Sequence, residues 1–197
     1  MPDTTATTRQ NQTQESILTV AVEVFNRHGY DATSMGVLAE NLGITKSAIY
    51  HHVPSKEHLL ELALDRALGG LESILKDPLA STGPAVDRLR FVLRSAVGVL
   101  TDQLPFVTLL LRLRGNTQLE RSALDRRRAF NRAVAELVDE ARADGALRND
   151  IDAGTATRLL FGMINSIVEW YRPDGPVSAS KVADDVVAVA FGGLRAP

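Results

Sequence analysis

The sequence predicts an all-α protein, and three observations carry that prediction. Apolar residues recur at three- and four-residue spacing along most of the chain. Helix starts (Ser, Thr or Asp) and stops (Gly or Pro) bracket these runs. Strand-type alternation of apolar and polar residues is absent throughout. Together they divide the 197 residues into about nine helices, without repeats or low-complexity tracts. The length suits a small head, residues 1–55, and a larger body, residues 56–197.

The polar leader MPDTTATTRQNQTQ is expected to fray. From Ser16 to about Gly29, Ile17, Leu18, Val20, Ala21, Val24 and Phe25 form a helical stripe closed by glycine. Tyr30-Asp31-Ala32 links it to a second helix. Thr33 and Ser34 are suitable N-caps there, Val37, Leu38, Ala39 and Leu42 supply an apolar face, and Gly43 ends the helix. Thr45 caps a third, Lys46 to about Val53, in which Ile49 and Val53 face inward. Pro54 stops it and Ser55 caps the next.

Two short helices joined by a glycine turn, the second presenting polar and aromatic groups outward, form a helix-turn-helix whose second helix enters the DNA major groove. Lys46, Ser47 and Ala48 sit where side chains reach base edges. Lys46 suits guanine acceptors and Ala48 a thymine methyl. Thr33, Ser34, Tyr50, His51, His52 and Lys56 suit phosphate oxygens. For Lys46 the alternative is a solvated surface lysine, and for His52 packing within the head. The segments Thr-Ser-Met, Leu-Ala, Leu-Gly-Ile-Thr, Tyr-His-His-Val and Ser-Lys-Glu, in this order and spacing between residues 33 and 57, resemble the N-terminal signature of the TetR family of transcriptional repressors. That resemblance implies a homodimeric operator-binding protein and places base readers at Lys46, Ser47 and Ala48; Thr45, the cap of the same helix, is a further DNA-binding candidate.

Composition narrows the partners. The net charge is −2, and from Met1 to Lys56 the basic residues Arg9, Arg27, Lys46 and Lys56 are set against Asp3, Glu15, Glu23, Asp31 and Glu40. DNA binding therefore rests on a few placed contacts rather than a broad basic field. All four histidines lie between residues 28 and 58, in or just after the head, and a protonated His51 or His52 would add attraction to phosphate at mildly acid pH. The absence of cysteine excludes disulfides, thiolate metal sites and cysteine nucleophiles. No signal peptide and no run long enough for a membrane span are recognisable, so a cytoplasmic protein is expected.

In the body, Leu59, Leu60, Leu64, Leu68, Leu71 and Leu75 mark a helix to Asp77-Pro78, roughly 30 Å long. Its Gly69-Gly70 pair costs roughly 1 kcal/mol per glycine and permits bending or close packing. After the loop Ser81-Thr82-Gly83-Pro84, Val86, Leu89, Val92, Leu93, Ala96, Val97 and Leu100 form the next stripe. Pro105 opens a short helix, Phe106 to Leu113, so apolar all round that it must be buried or line a cavity. Leu119 to Asp144 is a long arginine-rich helix closed by Gly145. Asp152 caps an apolar helix halted by Pro173. Ser178 or Ser180 begins the last, with Val182, Val186, Val189, Ala190 and Leu194.

A helix-turn-helix makes few base contacts, so two are usually set about 34 to 36 Å apart by dimerisation. Small residues on the last two helices, Gly162 with Ser166 and Ala183 with Val186, Val187 and Ala190, allow close helix approach to a second copy, or packing within one subunit. In the family resembled, this helix pair joins its partner's pair in a four-helix bundle. The resemblance also implies release from DNA by a small inducer. Candidate cavity walls are Val97, Leu100, Phe106, Leu109, Leu110, Leu113 and Phe161, with Asn165 as an amide suited to a ligand carbonyl or hydroxyl. Ordinary core packing is the alternative. Among the clustered arginines, Arg114 and Arg128 are candidates for ligand phosphates. The other reading is a solvated face paired with Glu120, Asp125 and Glu136.

The ending Glu169-Trp-Tyr-Arg-Pro-Asp-Gly-Pro resembles a TetR subgroup that controls fatty-acid, aromatic-acid or steroid-ring catabolism and responds to acyl-CoA thioesters. Repression relieved by such a thioester is the function this implies. A hydrophobic drug-like inducer of an efflux or detoxification gene, or a DNA-binding protein with no inducer, are the alternatives. An enzyme is not expected: GxSxG, P-loop, GxGxxG and HExxH patterns are all absent, and no cofactor or metal is implied.

Overall fold

The computed structural model describes residues 13–194, with no side-chain description for Gly193 and Leu194. The expected fraying of the leader up to residue 12 and the inward placement of Leu194 therefore lie outside the described residues. Those described form eleven helical segments and no strand. None is long and apolar enough to cross a membrane. The chain makes two compact units, one reaching Leu62 and the other beginning at Ala63.

In the first unit, α1 (Gln14–His28) starts from a reciprocal cap: the Thr13 hydroxyl accepts the Ser16 N–H, and Ser16 Oγ accepts the Thr13 N–H. Its buried face contains Val22 rather than Val20, because Val22 lies four residues after Leu18 and three before Phe25. Next, α2 (Met35–Leu42) is capped by Ser34, which accepts the Val37 N–H, and closed by Gly43 at φ 65°. The Ile44 N–H then donates to Ala39 O, completing a left-handed glycine turn. Thr45 starts α3 (Lys46–Tyr50) by accepting the Ala48 N–H. A further turn brings the Val53 N–H to Ile49 O, with both side chains essentially fully buried. The first turns of α4 (Lys56–Lys76), capped by Ser55, belong to this unit through buried Leu59 and Leu60.

In the second unit, α4 buries Ala63, Leu64, Ala67, Leu68 and Ile74, and Ile74 takes the inward place that spacing assigned to Leu75. The helices that follow are α5 (Pro78–Ser81), α6 (Ala85–Asp102), α7 (Leu104–Leu111), α8 (Gln118–Ala143), α9 (Ala153–Asn165), α10 (Ile167–Trp170) and α11 (Ala179–Leu194). Two short segments exceed the nine helices expected. Pro78 begins a new turn under an Asp77 cap instead of only stopping α4. Ser166 separates α9 from α10, and its hydroxyl donates to Met163 O. The body is built around α6, which packs against every one of α5, α7, α8, α9, α10 and α11. It buries Leu89, Val92, Leu93, Ala96, Val97 and Leu100.

Candidate DNA-contact surface and ligand cavity

The outward surface of α3 is held by its turns. Lys46, Ser47, Tyr50, His51 and His52 are exposed, and Ala48 is half-buried. Lys46 lies back over Gly36: a Cβ there would meet Lys46 Cε at 2.8 Å, its Nζ at 3.2 Å and Ser34 Oγ at 3.4 Å. The lysine ammonium thus sits beside the N-terminus of α2, whose unpaired N–H groups already favour an anion. Sequence reasoning missed Gly36, although a glycine inside the first turn of an otherwise well-formed helix is the signal for such a close approach.

Thr33 and Lys56 have internal partners. Thr33 is buried and its hydroxyl donates to Gly29 O at 2.8 Å, leaving the capping of α2 to Ser34. Lys56 Nζ donates to Tyr30 O at 2.8 Å and lies 4.1 Å from the Tyr30 ring centroid. Tyr30 in turn meets Phe25 edge-to-face at 5.1 Å. Lys56 therefore ties the α1–α2 link to the start of α4.

The second unit contains a cavity of about 220 Å³. Its walls are Leu71 of α4, Ala96 and Leu100 of α6, and Val107, Leu110 and Leu111 of α7. Arg127, Phe130 and Asn131 of α8 and Arg158, Phe161, Gly162, Ile164 and Asn165 of α9 complete it. Of the residues singled out by sequence, Leu100, Leu110, Phe161 and Asn165 meet here. Val97, Phe106 and Leu109 are buried but are not on its surface, and Leu113 is half-buried beyond the end of α7. Arg114 is exposed, and Arg128 is exposed with Nη1 2.8 Å from Asp125. Helical phase explains the exchange of Arg128 for Arg127: Arg127, Phe130 and Asn131 fall at i, i+3 and i+4 on one face, and Arg128 is turned away from it.

Beside the cavity lies a more polar pocket of about 380 Å³, bordered by Thr108, Arg112, Ser166, Val168 and Glu169. Leu111, Arg127 and Asn165 border both spaces. Burial pushes the Arg127 guanidinium below its ordinary pKa, with adjacent Arg128 adding to the effect. It still remains a cation at working pH. Among the described residues no carboxylate pairs with it. A half-buried, uncompensated cation between an apolar and a polar space favours an anionic or carbonyl-bearing ligand that crosses the boundary.

Two neighbouring features hold this frame. Glu120, expected on a solvated arginine face, is buried instead, and one of its oxygens accepts the backbone N–H groups of Arg114, Gly115 and Asn116 at 3.3, 2.8 and 3.1 Å. It secures the α7–α8 loop. Arg126, next to Arg127, donates through Nε and Nη2 to Glu72 at 2.8 and 3.0 Å and through Nη1 to Asp65, joining α8 to α4. The hydrogen bonds from Arg126 hold the Glu72 carboxyl below its ordinary pKa, while Glu72 and Asp65 raise that of Arg126.

Of the small residues considered for dimerisation, Gly162 and Ser166 are exposed and line the cavity and the polar pocket respectively. Ala183, Val186, Val187 and Ala190 are buried within the single chain, where α11 packs on α6. The exposed apolar groups nearby are Leu159, Trp170, Val177 and Val189. Trp170, Val177 and Val189, together with Met163 and Val186, border a groove of about 290 Å³.

Comparison with known proteins matches both units. The family described as bacterial regulatory proteins, tetR family, matches residues 17–63, and the one described as tetracyclin repressor-like, C-terminal domain, matches residues 82–194. SCO3833, a TetR family member from Streptomyces coelicolor A3, superposes with a TM-score of 0.87 at 53% identity, covering 94% of each chain. The transcriptional repressor KstR2 of Mycobacterium tuberculosis is 24% identical, covering 93% of this chain and 94% of its own. AibR, solved with isovaleryl coenzyme A and operator DNA, has the same fold with a TM-score of 0.76 at 24% identity, over 91% of this chain and 98% of its own. With signatures over both head and body and a 53% identical homologue along nearly its whole length, the chain belongs to the TetR family of bacterial transcriptional regulators.

Proposed function

We propose that this protein is a cytoplasmic, homodimeric repressor that leaves its operator when an acyl-CoA thioester occupies the body. The observation that carries this reading is the pair of adjoining spaces with Arg127 and Asn165 on their shared wall. An acyl group fits the apolar side, the thioester carbonyl meets Asn165, and the phosphate-bearing part of CoA meets Arg127 and Arg112. The likeness to AibR, solved with isovaleryl coenzyme A, supports a thioester ligand, and the likeness to KstR2, named as a ketosteroid regulator, supports a lipid-related one. The exposed groups Leu159, Trp170 and Val189 on α9, α10 and α11 are suited to a second copy.

The signal passes through α4. Leu71 places this helix on the cavity wall, and Arg126 couples it to α8 beside Arg127. A ligand that fits only one position of α4 shifts the population toward it. Moving from 1:99 to 99:1 takes about 5.5 kcal/mol of differential binding. On the DNA side, Lys46, Ser47 and Ala48 read bases, and Ser34, Thr45, Tyr50, His51 and His52 meet the backbone.

Thermal denaturation with CoA esters, each beside its free acid and free CoA, tests this reading. A true ligand at a hundredfold excess over Kd stabilises the native state by about 2.7 kcal/mol. The ester should raise Tm and its acid should not. A shift with uncharged hydrophobic compounds alone would transfer the assignment to a drug-like inducer that uses the cavity without Arg127.

A further inference from the structure

The size and surroundings of the apolar space say more than that it takes an acyl group. We infer that the acyl group is compact, with about nine buried heavy atoms at most, and that Phe161 sets the limit. This rests on the thioester reading above. An apolar cavity of about 150 Å³ holds one benzene molecule. In the same proportion, about 220 Å³ holds about nine heavy atoms: a short branched chain, a single substituted ring, or a medium straight chain.

The walls do not readily retreat. Phe130 and Phe161 meet edge-to-face at 5.6 Å, with both rings buried. Ala96, Leu110 and Ile164 are at most 2% exposed and are backed by the core around α6. A longer chain also gains little apolar room from the neighbouring pocket, because the way there passes Arg127 and Asn165 into a space where Leu111 and Val168 alternate with Arg112, Ser166 and Glu169. An alkyl tail entering it would desolvate charged groups without pairing them. A long-chain or four-ring acyl group is therefore disfavoured on two grounds, volume on one side and polarity on the other.

Isothermal titration of the full-length protein with isovaleryl-, benzoyl-, octanoyl-, palmitoyl- and cholyl-CoA, with free CoA as reference, tests this. The tightest of the first three should bind at least tenfold more strongly than palmitoyl- or cholyl-CoA. Phe161→Ala should narrow or reverse that preference. Ala96→Leu, which fills the cavity without truncating the core, should weaken the compact esters at least tenfold while thermal unfolding remains cooperative. Palmitoyl- or cholyl-CoA binding as tightly as the compact esters overturns the size limit but leaves the thioester reading standing. An unchanged preference in both variants overturns the placement of the acyl group at Phe161. If no ester binds more tightly than free CoA, the thioester reading itself fails, and this inference with it.

Discussion

The DNA-contact surface and the ligand cavity organise their side chains in opposite ways. In the head, the helix ends and turns are decided within a few residues: Ser34 caps through Val37, Thr45 through Ala48, and Gly43 turns the chain at φ 65°. In the body, the cavity draws walls from five helices between Leu71 and Asn165. There, a residue's place depends on helical phase where helices meet. The head should accordingly be sensitive to changes in its small core and turns, and the cavity to exchanges between neighbours on one helix.

The largest expected effect is on the head. Ile49→Ala truncates a fully buried side chain and should cost about 2–5 kcal/mol. Operator binding should be lost while the body keeps its ligand-dependent melting transition, which calorimetry with and without ligand would show. In the cavity, Arg127→Leu should weaken CoA-ester binding at least tenfold, and Arg128→Leu less than twofold. Equal losses in titration calorimetry would mean that helical phase does not separate these neighbours.

The two head lysines divide in a similar way. Lys46→Ala should weaken DNA binding, change sequence preference at the base it reads, and leave Tm nearly unchanged. Lys56→Ala should lower stability by about 1 kcal/mol through loss of its bond to Tyr30 O. The smallest effect concerns acid stability. Bonded to Arg126, Glu72 has a folded pKa below its ordinary 4.5, so its contribution is present above that value and lost as pH falls through the folded one. Glu72 is about a third exposed, so that contribution should stay below about 1 kcal/mol. Glu72→Gln should be less stable than the native protein at neutral pH and lose less on going to pH 3, as parallel denaturant titrations would reveal.

The same contrast explains what could be read from sequence. Caps, glycine turns and the order of the helix-turn-helix are local, so the ends of α2 and the start of α3 followed from residue types alone. The inward use of Lys56 did not, because its partner Tyr30 O lies 26 residues back and is set by how the chain folds. Thr33 turns to Gly29 O only four residues away, but its residue type suits an N-cap equally well, and Ser34 takes that place. In the body, the all-apolar α7 and the amide at Asn165 marked a cavity region. Arg127 was passed over for Arg114 and Arg128, since one step along α8 separates the cavity face from solvent. Ala183 and Val187 looked suited to a partner but pack inside the chain, and Val189 and Trp170 carry the exposed surface. Spacing alone does not say which side of a small-residue helix meets its own core.

In the proposed mechanism, occupancy of the body cavity controls the grip of the head on DNA. An operator selected from random duplexes with the purified protein, then titrated by fluorescence anisotropy with the tightest compact CoA ester, tests this directly. The ester should lower operator affinity at least tenfold in the native protein and much less in Arg127→Leu, whose affinity without ligand should stay native. Ester binding that leaves operator affinity unchanged would contradict it.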